Sequence, residues 1–268
     1  MKRLDIHNPF NAPVYHEETA GSTMDISRDL AAHGEPHGTV ITVDFQEAGR
    51  GRIRERSWNM ERGTNLPFTI LLRYPCIEDI PAALTLRTGL AIAIAIEECI
   101  PALSGRVLVK WPNDIMITAH KAAGILTEAD GGIVHIGAGI NVAQTDFPAA
   151  LKDKATSLSR ASGGGITGEM RFALLETILA RLHDELETNA PDSWRPRLEA
   201  RLYKKGEQVC FAEGAANSGK VIEGRLAGIS PDGGLLITPE GETHARSFIT
   251  GELLFAYDGS KAQISLKN

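Results

Sequence analysis

Residues 106–140 restrict what this chain can fold into more than any other stretch. They hold four short apolar segments in succession, at 106–110, 115–117, 122–128 and 133–140, each closed by turn residues. Segments of this length, rich in valine and isoleucine, suit strands and are too short for helices. Gly131-Gly132 separates the last two and predicts a tight hairpin. A chain whose middle is spent this way must be built around a sheet. Further strands are predicted at 13–18, 38–45 and 65–74. Pro67, in the last of these, points to a sheet edge or a bulge, because proline has no N–H to give to a ladder.

Helices are predicted around that sheet. Ser22-x-x-Asp25 has the form of a capping box, starting a helix near Met24 that Gly34 ends. Residues 81–99 are strongly apolar with proline at the start, which suits a buried helix. A Ser/Gly-rich break at 162–165 precedes a long amphipathic helix at 168–188 and a second helix at 193–203. After Lys205 the texture changes to five short strands with turns at Glu213-Gly214, Ser230-Pro231-Asp232-Gly233-Gly234 and Pro239-Glu240-Gly241. This predicts a small β-barrel. The fold class is α+β, with domains at 1–204 and 205–268.

The 268 residues are 43% hydrophobic, enough for a packed core, and carry a formal net charge of -6. That balance argues against a nucleic-acid partner, which needs a broad basic surface. The longest apolar run, 90–96, falls far short of the roughly 20 residues that span a bilayer, so no membrane association is expected. No secretory signal is visible at the start. Three widely spaced cysteines form no CxxC pair and no disulfide framework. A cytoplasmic protein with reduced thiols is expected.

Against this acidic background, Arg50, Arg52, Arg54, Arg56 and Arg62 crowd into one loop that begins Gly49-Arg50-Gly51-Arg52. Arginine grips phosphates and carboxylates through a planar fork, and glycines let backbone N–H groups approach the same ligand. The loop therefore predicts a small, strongly negative ligand. Lys110-Trp111-Pro112-Asn113-Asp114 closes a strand, where Asn and Asp can bind a base, a ribose or Mg²⁺. Lys121 opens another strand and can serve as a point charge for a phosphoryl group. Taken singly, each has an ordinary structural reading: a solvated loop, a turn, a strand end. There is no P-loop, no His/Cys cluster for zinc, no Ser-His-Asp pattern and no full dinucleotide fingerprint at Gly137-Ala138-Gly139.

The order of these elements is distinctive. Ser22-Thr23, Gln46-Glu47-Ala48-Gly49-Arg50-Gly51-Arg52, Trp58, Gly63-Thr64-Asn65-Leu66, Lys110-Trp111-Pro112-Asn113-Asp114, Lys121-Ala122-Ala123-Gly124-Ile125-Leu126-Thr127-Glu128 and Gly137-Ala138-Gly139-Ile140-Asn141 closely resemble the biotin protein ligases. The resemblance implies a central mixed sheet flanked by helices and followed by a small SH3-like barrel. Many bacterial members carry an N-terminal helix-turn-helix repressor domain. Residues 14–18 already read as the first catalytic strand, so a ligase without repressor function is expected. The chain departs from the family after Arg52: Ile53-Arg54-Glu55-Arg56-Ser57-Trp58 lacks the usual glycine and is one residue longer. The family's later arginine role falls to Arg54 or Arg56, and Arg56 is favoured because it lies nearer Trp58.

The resemblance also implies a two-step reaction, in which ATP activates biotin as biotinyl-AMP and a lysine of a carboxylase's biotin carboxyl carrier domain then accepts it. Arg52 and Lys121 are the expected catalytic cations. Ser22, Thr23, Gln46, Arg50 and Gly124 join them around biotin, with Ile125 lining the slot. Gly49, Gly51, Arg56, Trp58, Asn113, Gly137 and Asn141 are assigned to ATP and the adenylate, with Gly139 allowing close approach, and Asp114 to Mg²⁺. A homodimer is compatible with the sequence. A lipoate protein ligase and a non-catalytic biotin or nucleotide sensor are the alternatives.

Overall fold

The computed structural model describes residues 1–52, 57–214 and 220–254. Eight strands form the main sheet: β1 (Lys2–Arg3), β2 (Val14–Ala20), β3 (Thr39–Gln46), β4 (Asn65–Arg73), β5 (Val107–Lys110), β6 (Asp114–Ile117), β7 (His120–Asp130) and β8 (Ile133–Asn141). Their order across the sheet is β1-β2-β3-β4-β8-β7-β6-β5. Only β2 and β3 pair in parallel. That pairing needs a crossover, which α1 (Thr23–Ala32) supplies. Gly131-Gly132 forms the predicted tight turn between β7 and β8.

Pro67 corrects one expectation. It lies in β4, fourth of the eight strands, and not at an edge. Its carbonyl faces β3, where it accepts a hydrogen bond from the Thr42 hydroxyl at 2.7 Å. The β3 ladder has ended one residue earlier, at Thr42 opposite Phe68. In a strand a residue's N–H and C=O point the same way, so the missing N–H removes no rung.

Period two divides the sheet into unlike faces. The even positions of β4 and β8, namely Leu66, Phe68, Ile70, Leu72, Val134, Ile136, Ala138 and Ile140, all belong to the hydrophobic core. This face is covered by α2 (Leu84–Cys99) and α4 (Arg171–His183). Most odd positions are smaller or polar, Thr69, His135, Gly137 and Asn141 among them, with Leu71 and Ile133 as the aliphatic exceptions, and α1 lies over that side. The segment Ile77–Cys99 is apolar and long enough to cross a membrane by length and composition, yet most of it is buried inside the fold.

Both later helices depart from the sequence reading. The 168–188 segment is helical throughout but in three forms: a 3₁₀ turn at Gly168–Met170, α4, and a π-helical turn at Asp184–Thr188. The widened turn places Glu185 in the interior, where it pairs with Arg87 at 3.1 Å and Arg197 at 2.5 Å. The next helix, α5, covers only Trp194–Glu199. Beyond it the chain leaves helical form to lie along β5, with Val109 N–H donating to Arg201 O at 2.8 Å and Tyr203 N–H to Val109 O at 2.9 Å. The exposed edge of β5 thereby gains backbone partners. A short α3 (Leu158–Ser162) precedes these helices.

Five later strands form a second, antiparallel sheet: β9 (Gln208–Glu213), β10 (Val221–Ile229), β11 (Leu235–Pro239), β12 (Arg246–Phe248) and β13 (Gly251–Leu253), ordered β12-β11-β10-β9-β13. Trp111 ties it to the main sheet. Its ring packs 5.8 Å from that of Phe211, and its indole N–H donates to Gly233 O at 3.0 Å.

Candidate active site

A narrow slot of about 60 Å³ opens on the odd face of the main sheet. Gly124 and Gly139 stand opposite each other across the β7–β8 ladder and form its floor. Two adjacent residues without side chains leave a hollow one ring wide, and Trp58 lies in it. A Cβ built on Gly139 would come within 2.5 Å of the indole ring, and one on Gly124 within 3.3 Å. The indole nitrogen is buried and has no hydrogen-bond partner among the described residues. Gly137 makes room similarly for Met24, whose sulfur would lie 2.8 Å from an added Cβ.

The first turn of α1 forms one wall. Ser22 caps the helix, its hydroxyl accepting from Met24 N–H at 3.3 Å. Asp25 does not complete the predicted capping box; its carboxylate pairs instead with Arg28 and Arg50. Gln46, at the end of β3, accepts from both the N–H and the hydroxyl of Thr23, at 2.9 and 3.1 Å.

The cations stand around the mouth. Lys121 Nζ pairs with Asp114 and sits 5.8 Å from the centre of the Trp58 ring. Arg50 pairs with Asp25, and the same carboxylate holds Arg28, which also grips Glu128. Arg52 donates to Gly251 O in the second sheet at 3.1 Å. These groups are partly exposed, where ion pairs contribute little to stability. An incoming anion can take over their partners at small cost.

Of the residues singled out from sequence, Ser22, Thr23, Gln46, Arg50, Gly51, Arg52, Trp58, Asn113, Lys121, Gly124, Ile125, Gly137 and Gly139 line this one slot. Gly49 stands just behind it, accepting from Trp58 N–H at 2.9 Å. Asp114 reaches it through Lys121. Asn141 does not line it: the side chain is buried, with Nδ2 donating to Thr156 O at 3.0 Å. Arg54 and Arg56 lie outside the described residues. Met24, Leu126 and Ala138 also line the slot and were missed. They carry no ionisable side chain; Leu126 and Ala138 sit inside the matching motifs without having been singled out, and Met24 was signalled only as the start of α1. Among the described residues no three His, Cys, Asp or Glu side chains gather as a metal site.

Residues 18–143, which hold this slot, match the Biotin/lipoate A/B protein ligase family. A protein named "Bifunctional ligase/repressor BirA" from Bacillus spizizenii is 35% identical over 85% of this chain and 70% of its own length. "Biotin--[acetyl-CoA-carboxylase] ligase" from Paracoccus denitrificans is 34% identical over 67% of this chain and 77% of its own. The chain belongs to the biotin protein ligase family. In three dimensions it resembles the Aquifex aeolicus biotin protein ligase solved with biotin and ATP, at 27% identity and a TM-score of 0.74, covering 90% of this chain and 97% of that one. The family's catalytic fold is thus present in the eight-stranded sheet and its helices, and the second sheet is compatible with the expected SH3-like module.

Proposed function

We propose that this protein is an ATP-dependent biotin protein ligase that adenylates biotin and transfers it to a lysine of a biotin carboxyl carrier domain. The observation that carries this reading is the convergence of Arg50, Arg52 and Lys121 on one slot whose inner wall is Ser22, Thr23 and Gln46. A carboxylate is a poor electrophile and must be activated before it can form an amide. In the first step a biotin carboxylate oxygen attacks the α-phosphorus of ATP, and the bond to pyrophosphate breaks. Two anions meet and charge builds on the α-phosphoryl oxygens, so fixed cations supply most of the acceleration. Lys121 and Arg52 have that role. In the second step the acceptor amine attacks the acyl carbon, AMP leaves, and the amine's proton passes to solvent.

The polar wall at Ser22, Thr23 and Gln46 suits the ureido end of biotin, and the glycine floor leaves room for its compact, cis-fused bicyclic body. Trp58, Asn113 and the backbone near Gly49 and Gly51 are assigned to the adenylate, with Asn141 supporting the β8 end. Mg²⁺ is commonly held by one or two carboxylates together with substrate phosphates. Asp114, now paired with Lys121, would hold it here, and the ion would supply charge neutralisation for the pyrophosphate. Residues 1–204 are taken as the unit that binds biotin and ATP, and 205–268 as a module closing one side.

The test combines pyrophosphate release with mass spectrometry of an isolated carrier domain incubated with this protein, biotin and MgATP. A biotin-dependent lysine adduct supports the reading. Release driven by lipoate and not biotin would redirect it to a lipoate ligase, and no release with either points to a sensor.

A further inference from the structure

Thr69 lies in β4 with none of its surface exposed, two residues beyond Pro67 and outside the slot lining. Its hydroxyl donates to Thr23 Oγ1 at 2.8 Å. Thr23 in turn places both its N–H and its hydroxyl on Gln46 Oε1, at 2.9 and 3.1 Å. The direction of this chain is fixed by chemistry. A backbone N–H can only donate, so the Gln46 atom facing Thr23 must be the carbonyl oxygen. That oxygen cannot donate, so the Thr23 hydroxyl spends its own proton on it. Thr23 Oγ1 is then left to accept, and Thr69 supplies the proton. With both lone pairs of Oε1 engaged, the other end of the amide presents N–H donors.

We propose that Thr69 is a positioning residue for biotin recognition: it holds the Thr23 hydroxyl proton on Gln46 Oε1, a second donor beside the Thr23 N–H, and so stiffens the Gln46 amide that lines the slot. The residue touches no ligand and acts only through Thr23. This inference rests on the biotin ligase reading above, and it makes a claim that reading does not contain. Thr69→Val keeps the shape and apolar contacts of the side chain but removes the hydroxyl. Thr23 Oγ1 then lacks its donor, and only the bond to Gln46 Oε1 holds its hydroxyl in place.

The experiment is steady-state pyrophosphate release with the full chain, comparing wild type, Thr69→Val and Thr69→Ser. The Val variant is expected to raise KM for biotin roughly five- to tenfold, the size of one net hydrogen bond. KM for ATP and kcat at saturating biotin stay within about twofold, and the Ser variant restores the wild-type value. In parallel, the Gln46 side-chain NH₂ signals of the ligand-free protein, followed by ¹⁵N NMR, should move in the Val variant and not in the Ser variant. Unchanged biotin KM with unchanged Gln46 signals would overturn the proposal, as would equal rises in KM for biotin and ATP. If the Val variant does not fold, Thr69→Cys, with its weak S–H donor, must give an intermediate biotin KM or the proposal fails. If wild type shows no biotin-dependent turnover, the enzymatic reading fails, and the NMR comparison still decides whether Thr69 stiffens Gln46.

Discussion

The two faces of β4 and β8 are made from the same strands and follow opposite rules. The even face is a row of aliphatic and aromatic side chains sealed by α2 and α4. Its ion-pair neighbour, Arg87 with Glu185, is almost wholly buried and fully engaged. The odd face carries Thr69, Gly137 and Gly139, with Gly124 alongside, and its cations hold partners at the surface. One face stores stability and the other keeps room and exchangeable charge. A single strand can serve both because successive side chains point to opposite sides.

The sharpest way to break this contrast is at Lys121. Lys121→Ala should lower biotin-dependent pyrophosphate release by about 10²–10³-fold, the cost of losing a fixed charge that acts in the transition state. The melting temperature should barely move, since the Lys121–Asp114 pair is partly exposed. A large drop in stability would show that the pair belongs to the sealed side of the comparison.

Gly139→Ala is expected to act on the slot next most strongly. The added methyl would collide with the Trp58 ring, and overpacking of this kind costs about 1–3 kcal/mol when neighbours must shift. Ligand binding, measured by titration calorimetry, should weaken by tenfold or more. On the other face, Ile140→Val should cost about 0.5–1.5 kcal/mol in denaturant unfolding and leave KM for biotin and ATP unchanged. Equal effects of these two neighbouring substitutions on binding would erase the distinction between the faces.

The smallest effect concerns pH. Burial, with Arg28 nearby, holds the His135 imidazole below its ordinary pKa. The neutral ring takes part in a hydrogen bond between Nδ1 and the Ser27 hydroxyl at 2.8 Å. A group whose folded pKa is depressed contributes stability above its unfolded pKa, near 6.5, and loses it as pH falls toward the folded value. The unfolded chain takes up the proton first, so stability should decline from about pH 6.5 downward. His135→Gln should flatten that decline in thermal melts taken between pH 7 and pH 5.

Much of this arrangement was legible in the sequence. Strands β5 to β8 showed their period and their hairpin, and the order of the Gly-Arg-Gly-Arg, Lys-Trp-Pro-Asn-Asp and Lys121 elements gathered nearly the whole slot lining. What escaped depends on partners distant in the chain. Pro67 reads as an edge residue until β3 is seen to stop beside it. Ser193 to Tyr203 reads as a helix until the free edge of β5 claims its second half. Thr69 gives no signal of its own, because its part is played through a hydroxyl 46 positions away.

The hollow over Gly124 and Gly139 has one more consequence. The chain has three tryptophans. Trp111 and Trp194 are fixed in the interior, at 3% and 4% exposure. Of the three, Trp58 alone lines the slot proposed above to take biotin and the adenylate. An occupant of the slot would displace or shield that indole, so ultraviolet-excited emission from the unlabelled protein should report occupancy in real time, with Trp58→Phe, which keeps the two buried indoles, as the control whose emission does not respond.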